Sequence, residues 1–204
     1  AGEVTRAHRG VLFLDELGEF RRDALEALRQ PLEEGRVTVA RASGTIALPG
    51  RLQLVAASNP CPCGLGPDSG ECDCPPTVIA RYEAKLSGAL ADRIDLFLSL
   101  GRPGAEDLAQ GPGETSGAVR ARVEQARRRQ ESRLGDGRCN AEMTALEVRR
   151  TGRLTAAADS SLAAGHQRLR LSGRGWDRIL RVARTIGDLA GADRISEEHV
   201  AEAL

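Results

Sequence analysis

Aromatic residues and long apolar runs are both scarce in this sequence. Phe, Trp and Tyr make up 2% of the 204 residues, which argues against a platform for stacking nucleic-acid bases. No stretch reaches the roughly 18 apolar residues of a membrane span, and no signal-peptide pattern is visible. The five cysteines, four of them in two tight pairs, are typical of a reducing compartment. We therefore expect a cytoplasmic protein with no membrane partner.

The sequence also has no excess of charge of either sign. Lys and Arg together number 29, as do Asp and Glu, so net charge gives no indication of a nucleic-acid or membrane partner. Lys85 is the single lysine, and every other basic residue except histidine is an arginine. Arginine suits bidentate phosphate contacts, but a coding bias explains the same composition.

Residues 10–16 combine a continuous apolar run with two adjacent carboxylates, Asp15 and Glu16. Such a run predicts a strand buried on both faces of a parallel sheet. Burying carboxylates at its end is costly unless a cation or hydrogen bonds compensate. The pattern therefore indicates a Mg²⁺–nucleotide site, with Asp15 orienting the Mg²⁺ shell and Glu16 polarising the attacking water. A strand that simply ends in a polar turn is the alternative.

A phosphate-binding loop of the type G-x-x-x-x-G-K-[ST] is missing from the sequence. Lys85 has no glycine loop before it, so it does not supply one. The predicted strand at residues 11–14 comes too early for a preceding βα unit. We expect the chain to be part of a longer protein, with the phosphate cradle upstream of residue 1. As given, the chain is then not expected to bind or hydrolyse ATP appreciably.

Hydrophobic periodicity predicts an α/β part followed by helices. The predicted elements before residue 101 are a helix, a hairpin, a strand, a second helix and a third strand, over residues 22–34, 36–48, 52–57, 78–90 and 96–100. The Gly- and Pro-rich segment 101–117 is expected to be a linker. Helices are predicted after it at residues 118–133, 142–149, 155–170, 175–190 and 196–204. This pattern gives an α/β domain over residues 1–100 and a small all-α domain over residues 118–204.

Four cysteines lie within fourteen positions, as Cys61-Pro-Cys63 and Cys72-Asp-Cys74. Four thiolates are the ligand set of a closed structural Zn²⁺ site. The C-x-C spacing is tighter than the usual C-x-x-C, and a reduced, metal-free loop is the alternative. Cys139 is expected to be an unpaired thiol.

Four stretches together resemble one family. Residues 7–20 read AHRGVLFLDELGEF, residues 54–64 LVAASNPCPCG, residues 86–96 LSGALADRIDL and residues 171–189 LSGRGWDRILRVARTIGDL. In this order they resemble the Mg-chelatase-like AAA+ ATPases, in the branch of the ComM and YifB competence proteins. The resemblance covers essentially the whole chain. It implies an incomplete AAA+ P-loop NTPase core, a parallel sheet with flanking helices and a β-hairpin insertion, followed by a small helical lid.

The resemblance also implies residue roles in an ATP and Mg²⁺ site. Asp15 and Glu16 match the Walker B pair, with Asp15 on the Mg²⁺ side and Glu16 as the base. Asn59 resembles the sensor-1 residue that helps to hold the attacking water. Arg93 resembles an arginine finger given to a neighbouring subunit, and Arg174 resembles the sensor-2 arginine that contacts nucleotide.

Each of the last three roles has a simpler alternative in the residues themselves. Asn59 precedes Pro60, and Asn-Pro is a common turn signal. Arg93 has the acidic neighbours Asp92 and Asp95, so a surface ion pair explains it equally well. Arg174 is a cation at a predicted helix start, where it is mildly unfavourable unless an anion binds there.

The hairpin at residues 36–48 resembles the pre-sensor-1 hairpin of this family. The resemblance implies that Arg41, near its tip, contacts DNA phosphate in a hexameric ring, and a plain β-turn is the alternative. The implied activity is ATP hydrolysis coupled to DNA remodelling, as in ComM-type branch migration in natural transformation. Two other functions stay open, a motor for metal insertion as in magnesium chelatases and a zinc-stabilised scaffold. The chain departs from the family at Ala89, where proline is usual.

Overall fold

The chain forms two compact units in a computed structural model, Ala1–Leu96 and Phe97–Leu204. The structure describes residues 2–42, 44–86, 90–101, 103–104, 109, 111, 113–135 and 137–204. Seven of the seventeen residues of the predicted linker, 101–117, fall outside these described residues. None of the helices in the described part is both long enough and apolar enough to cross a bilayer.

The first unit holds two small sheets and short helices. Its strands are β1 (Val11–Leu14), β2 (Arg36–Arg41), β3 (Gly44–Pro49) and β4 (Gln53–Ala56), and its helices are α1 (Glu3–Arg6), α2 (Arg22–Ala27), α3 (Arg29–Glu34) and α4 (Pro76–Leu86). β1 and β4 pair in parallel, with Leu14 opposite Ala56. β2 and β3 pair antiparallel, with Arg41 opposite Gly44. The hairpin and the second strand predicted from the sequence are therefore confirmed.

The core of this unit covers only one face of β1. Leu12 and Leu14 pack against a buried leucine cluster formed by Leu17, Leu25, Leu28 and Leu90. Val11 and Phe13 point the other way and are 56% and 58% exposed. The prediction of a strand buried on both faces was wrong, because this sheet has two strands and only one of its faces has a described layer against it.

Two short helices replace the single helix predicted over residues 22–34. The break falls at Leu28, between α2 and α3. Pro31 explains it, because proline has no N–H to donate to the carbonyl of Ala27 and its ring crowds that carbonyl. In the observed arrangement Pro31 lies in the first turn of α3, where a helix needs no N–H donors. Leu28, itself buried, anchors the junction in the leucine cluster.

The third predicted strand, residues 96–100, is absent from the structure, so that prediction was wrong. The segment has no regular secondary structure, and no described strand pairs with it. Leu98 and Leu100 are 85% and 92% exposed. An apolar run becomes a strand only when a neighbour satisfies its backbone N–H and C=O groups.

The second unit is built from helices. They are α5 (Ser116–Leu134), α6 (Ala145–Thr151), α7 (Ala156–Leu169), α8 (Gly173–Leu189) and α9 (Glu197–Ala203). The predictions for α5, α7, α8 and α9 are confirmed within two residues at each end, and α6 begins three residues later than predicted. Its N-cap is Thr144, which accepts from the backbone N–H of Glu147. Ser172 and Ser196 cap α8 and α9, and the capping box at Ser196 is closed by His199.

A buried polar network braces α8 inside this unit. Asp188 is 2% exposed and Arg184 1%, and the two are separated by 3.3 Å from Nε to Oδ1. Arg133 on α5 donates to both carboxylate oxygens of Asp188, and Asn140 donates to Oδ2 at 2.9 Å. Burial lowers the pKa of Arg184, although the nearby Asp188 opposes that shift. Arg184 thus has a structural role in this unit.

Candidate functional site

Asp15 and Glu16 form an exposed turn at the carboxyl end of β1. The Asp15 carboxylate accepts the backbone N–H of Glu16 through Oδ1 at 2.9 Å. Glu16 has φ 51° and ψ 46°, a left-handed conformation that costs a non-glycine residue about 1–2 kcal/mol. Leu17, next in the chain, is 4% exposed and fixes the far side of the turn. The turn therefore presents both carboxylates to solvent, so the burial expected from the sequence is wrong.

The end of β4 lies directly beside this turn. The N–H of Ala57 donates to the carbonyl of Leu14 at 2.9 Å, and the N–H of Leu17 donates to the carbonyl of Ala57 at 2.8 Å. Parallel pairing thus continues past both strands and brings Ser58 and Asn59 to the same edge as the two carboxylates. Asn59 is exposed at this edge.

Tyr82 on α4 links the two strand ends, and sequence reasoning missed it. Its side chain is 5% exposed, and a Cβ placed on Gly18 would lie 2.2–2.5 Å from its ring atoms. Its hydroxyl lies 3.4 Å from Ser58 Oγ. Lys85, one turn further along α4, donates to the Gly18 carbonyl at 2.6 Å. One helix therefore holds both the turn after Glu16 and the residue before Asn59. The one sequence signal for this close packing was Gly18, two residues after Glu16.

The four loop cysteines converge in the segment between β4 and α4. Their sulfur atoms all lie within 4.8 Å of one another. Cys61 is fully buried, Cys63 is exposed, and Cys72 and Cys74 are partly buried. None of the four is in a disulfide. The sequence prediction that these cysteines share one site is consistent with this arrangement.

Arg93, the candidate arginine finger, pairs with Glu33 at the end of α3. The sequence suggested Asp92 or Asp95 as a partner, and this ion pair adds one that stands sixty residues before Arg93 in the chain. The Arg93 side chain is 11% exposed. A role at a neighbouring subunit's nucleotide would require this pair to open.

Arg174 and Arg41 lie elsewhere. Arg174 is the second residue of α8, after the Ser172 cap, and is exposed. It belongs to the second unit, whereas Asp15 and Glu16 belong to the first. Arg41 ends β2 opposite Gly44, and its side chain, like Ser43, lies outside the part of the chain that the structure describes. Residues 87–89, which include Ala89, lie outside it as well.

The fold and the site define a mixed α/β protein with a small parallel sheet, a carboxylate turn at that sheet's edge, and helices. Two family models match the chain. Residues 1–108 match magnesium chelatase, subunit ChlI, and residues 113–204 match the C-terminal model of the same subunit. The chain belongs to the magnesium chelatase subunit ChlI family.

Individual relatives agree with that family. An uncharacterized protein of Mycobacterium tuberculosis is 45% identical over the whole chain, which covers 41% of that relative. The uncharacterized protein YifB of Escherichia coli and the competence protein ComM of Haemophilus influenzae are each 42% identical over the whole chain, which covers 40% of each. The chain therefore spans about two fifths of the length of these relatives.

Proposed function

We propose that this chain carries the metal and water side of the nucleotide site of an AAA+ ATPase that remodels DNA. The observation that supports it most is the exposed Asp15–Glu16 turn at the carboxyl edge of a parallel strand pair, beside Asn59. This edge is where α/β sheets bind nucleotides. The family suggests nucleotide and Mg²⁺ use, and hard carboxylate oxygens are the ligands that Mg²⁺ prefers.

The residues of the turn fit such a site. Asp15 uses Oδ1 for the backbone of Glu16, which fixes the carboxylate and leaves its second oxygen for a metal or its water shell. The left-handed backbone of Glu16 turns its side chain out of the strand, in a position to take a proton from an attacking water. Mg²⁺–ATP, when bound, would supply the bond that is broken, and its Mg²⁺ would supply the positive charge that offsets the negative charge of the phosphates. Asn59 would orient the water from the neighbouring strand.

We propose that the remaining parts come from further segments and other subunits. The phosphate cradle lies outside this sequence, and the exposed face of β1, with Val11 and Phe13, is the surface that further core elements would cover. Arg93 would leave Glu33 to reach the nucleotide of the next subunit in a hexameric ring. An arginine that stabilises the transition-state charge in this way raises the rate of hydrolysis by about 10³–10⁵. Arg174 would contact nucleotide from the helical lid, residues 118–204.

DNA is the proposed substrate, and Arg41 at the tip of the β2–β3 hairpin is its proposed contact. The relative named as a competence protein supports this choice. The ATPase rate of the protein expressed from its complete coding sequence should rise when DNA is added. Arg41→Ala should remove that stimulation while leaving the basal rate unchanged, and Arg36→Ala, at the far end of β2, is the matched control.

The second candidate function is a motor for metal insertion, which the family's name favours. It predicts ATPase activity that DNA does not stimulate and no DNA affinity at low salt. The scaffold alternative predicts no ATPase activity in the complete protein.

A further inference from the structure

We propose that Cys61, Cys63, Cys72 and Cys74 bind one structural Zn²⁺ ion. The sulfur of Cys61 lies 3.2 Å from that of Cys63 and 3.7 Å from that of Cys72, and Cys63 and Cys72 are 3.6 Å apart. Zn–S bonds of about 2.3 Å in a tetrahedron place sulfurs about 3.8 Å apart. Three of the thiols therefore lie at close to the separations that one zinc ion needs, and the sulfur of Cys74 lies within 4.8 Å of each of them.

The loop backbone is already shaped around these sulfurs. Cys61 is fully buried, and its sulfur accepts the backbone N–H of Gly66 at 3.3 Å, the kind of outer contact that orients metal ligands. Gly64 and Gly66 have φ of 81° and 85°, a backbone conformation that residues other than glycine rarely adopt. These two turns direct the chain back over Cys61.

A single zinc ion suits this cluster better than the other chemistry of four cysteines. The sulfur–sulfur separations, all within 4.8 Å, leave no room for the sulfide and iron atoms of an iron–sulfur cluster between the thiols. They also exceed the 2.05 Å of a disulfide by more than an ångström, and the four thiols form one group rather than two separate pairs. Four protein ligands leave no open position, so the ion would be structural rather than catalytic.

The proposed ion would brace the carboxylate turn from a distance. Cys61 follows Asn59 by two residues, and a Cβ on Gly64 would lie 3.9 Å from the Asn59 side chain. Cys74 precedes the first residue of α4 by two residues, and α4 carries Tyr82 onto Gly18. Closing the loop therefore fixes the start of α4 relative to the end of β4. Through Tyr82, it also fixes the turn that contains Glu16.

The test is zinc content and affinity in the reduced protein expressed from its complete coding sequence. We expect one zinc per chain, and replacement by Co²⁺ should give the intense visible absorption of a tetrahedral thiolate site. Cys63→Ser should weaken Zn²⁺ binding by more than the roughly 10–100-fold that loss of an outer-shell partner causes. Cys139→Ser, a free cysteine outside the cluster, is the matched control and should bind zinc normally.

A second readout separates bracing from general unfolding. Removing zinc with a chelator should speed amide exchange in residues 58–86 and in the turn at residues 15–18. Exchange in α5 should stay unchanged. Absence of stoichiometric zinc together with failure to take up added Zn²⁺, disulfides joining these cysteines in the native protein, or normal binding by Cys63→Ser would each overturn the proposal. None of these results depends on ATPase activity, so the proposed function is tested separately.

Discussion

Glu16 has a left-handed backbone next to an aspartate, at the end of a strand. The conformation is unfavourable by about 1–2 kcal/mol, so neighbouring contacts must hold it. Those contacts are the Leu17–Ala57 hydrogen bond and the packing of Tyr82 on Gly18. Strain of this kind clusters at functional sites, which agrees with the role proposed for this turn.

Gly18→Ala tests how tightly the turn is held. The added methyl would meet the Tyr82 ring at 2.2–2.5 Å, so we expect it to lower the free energy of unfolding by about 1–3 kcal/mol, as other overpacked sites do. Gly10→Ala is the control, because its nearest neighbour would be the Ala7 carbonyl at 3.4 Å. Chemical denaturation measures both. The double variant Gly18→Ala/Tyr82→Leu should recover part of the loss, and an unchanged stability of Gly18→Ala would contradict the packing.

Several residues of the site could be predicted from the sequence, since adjacent positions carry their signal. Asp15, Glu16 and the four loop cysteines are local patterns, and the structure places each group together as expected. Tyr82 and the Glu33–Arg93 pair could not be found this way, because each joins segments far apart in the chain. A single sequence contains no information on which distant side chains meet.

Helix α6 is held at its start by a charged cap. The Arg138 guanidinium donates hydrogen bonds to Glu147, and so do the backbone N–H and the hydroxyl of Thr144. These bonds lower the pKa of Glu147 from 4.5 to about 2, with Arg138 making the largest contribution. Arg138 donates at 2.8 and 2.9 Å, one bond to each carboxylate oxygen. A carboxyl group with a lowered folded-state pKa stabilises the fold above its unfolded pKa, and this stabilisation is lost as the pH falls toward 2.

Glu147→Gln should therefore change how the melting temperature depends on pH. The wild-type protein should lose more stability than the variant between about pH 4.5 and pH 2, and the two should differ most above pH 4.5. Thermal melting followed by circular dichroism measures this difference. Glu131→Gln, an exposed position on α5, is the control. Parallel pH profiles for the wild type and Glu147→Gln would show that the cap does not contribute.

At the level of elements, helices were easier to predict than strands. In the second unit the helices begin within three residues of the predicted positions, at N-caps such as Thr144, Ser172 and Ser196. The prediction of a strand at residues 96–100 was wrong because apolar composition does not supply a pairing partner. The break at Leu28 shows the same limit, because one continuous helix was predicted over residues 22–34 although Pro31 lies within it.

In the whole molecule, the two compact units correspond to two distinct parts of one family. The family models match residues 1–108 and 113–204, and the structure divides the chain after Leu96. Asp15 and Glu16 belong to the first unit and Arg174 to the second. If residues of both units contact nucleotide, as we propose, the activity requires both units.

The most direct test of the central claim compares Glu16→Gln with Glu19→Gln in the protein expressed from its complete coding sequence. Glu19 is an exposed glutamate three residues further along the same turn, so it controls for loss of charge. We predict that Glu16→Gln lowers steady-state ATP turnover by roughly 10²–10⁴-fold, the usual contribution of a general base, while ATP binding is retained. Glu19→Gln should keep its turnover. Normal turnover in Glu16→Gln, or an equal loss in both variants, would contradict the account.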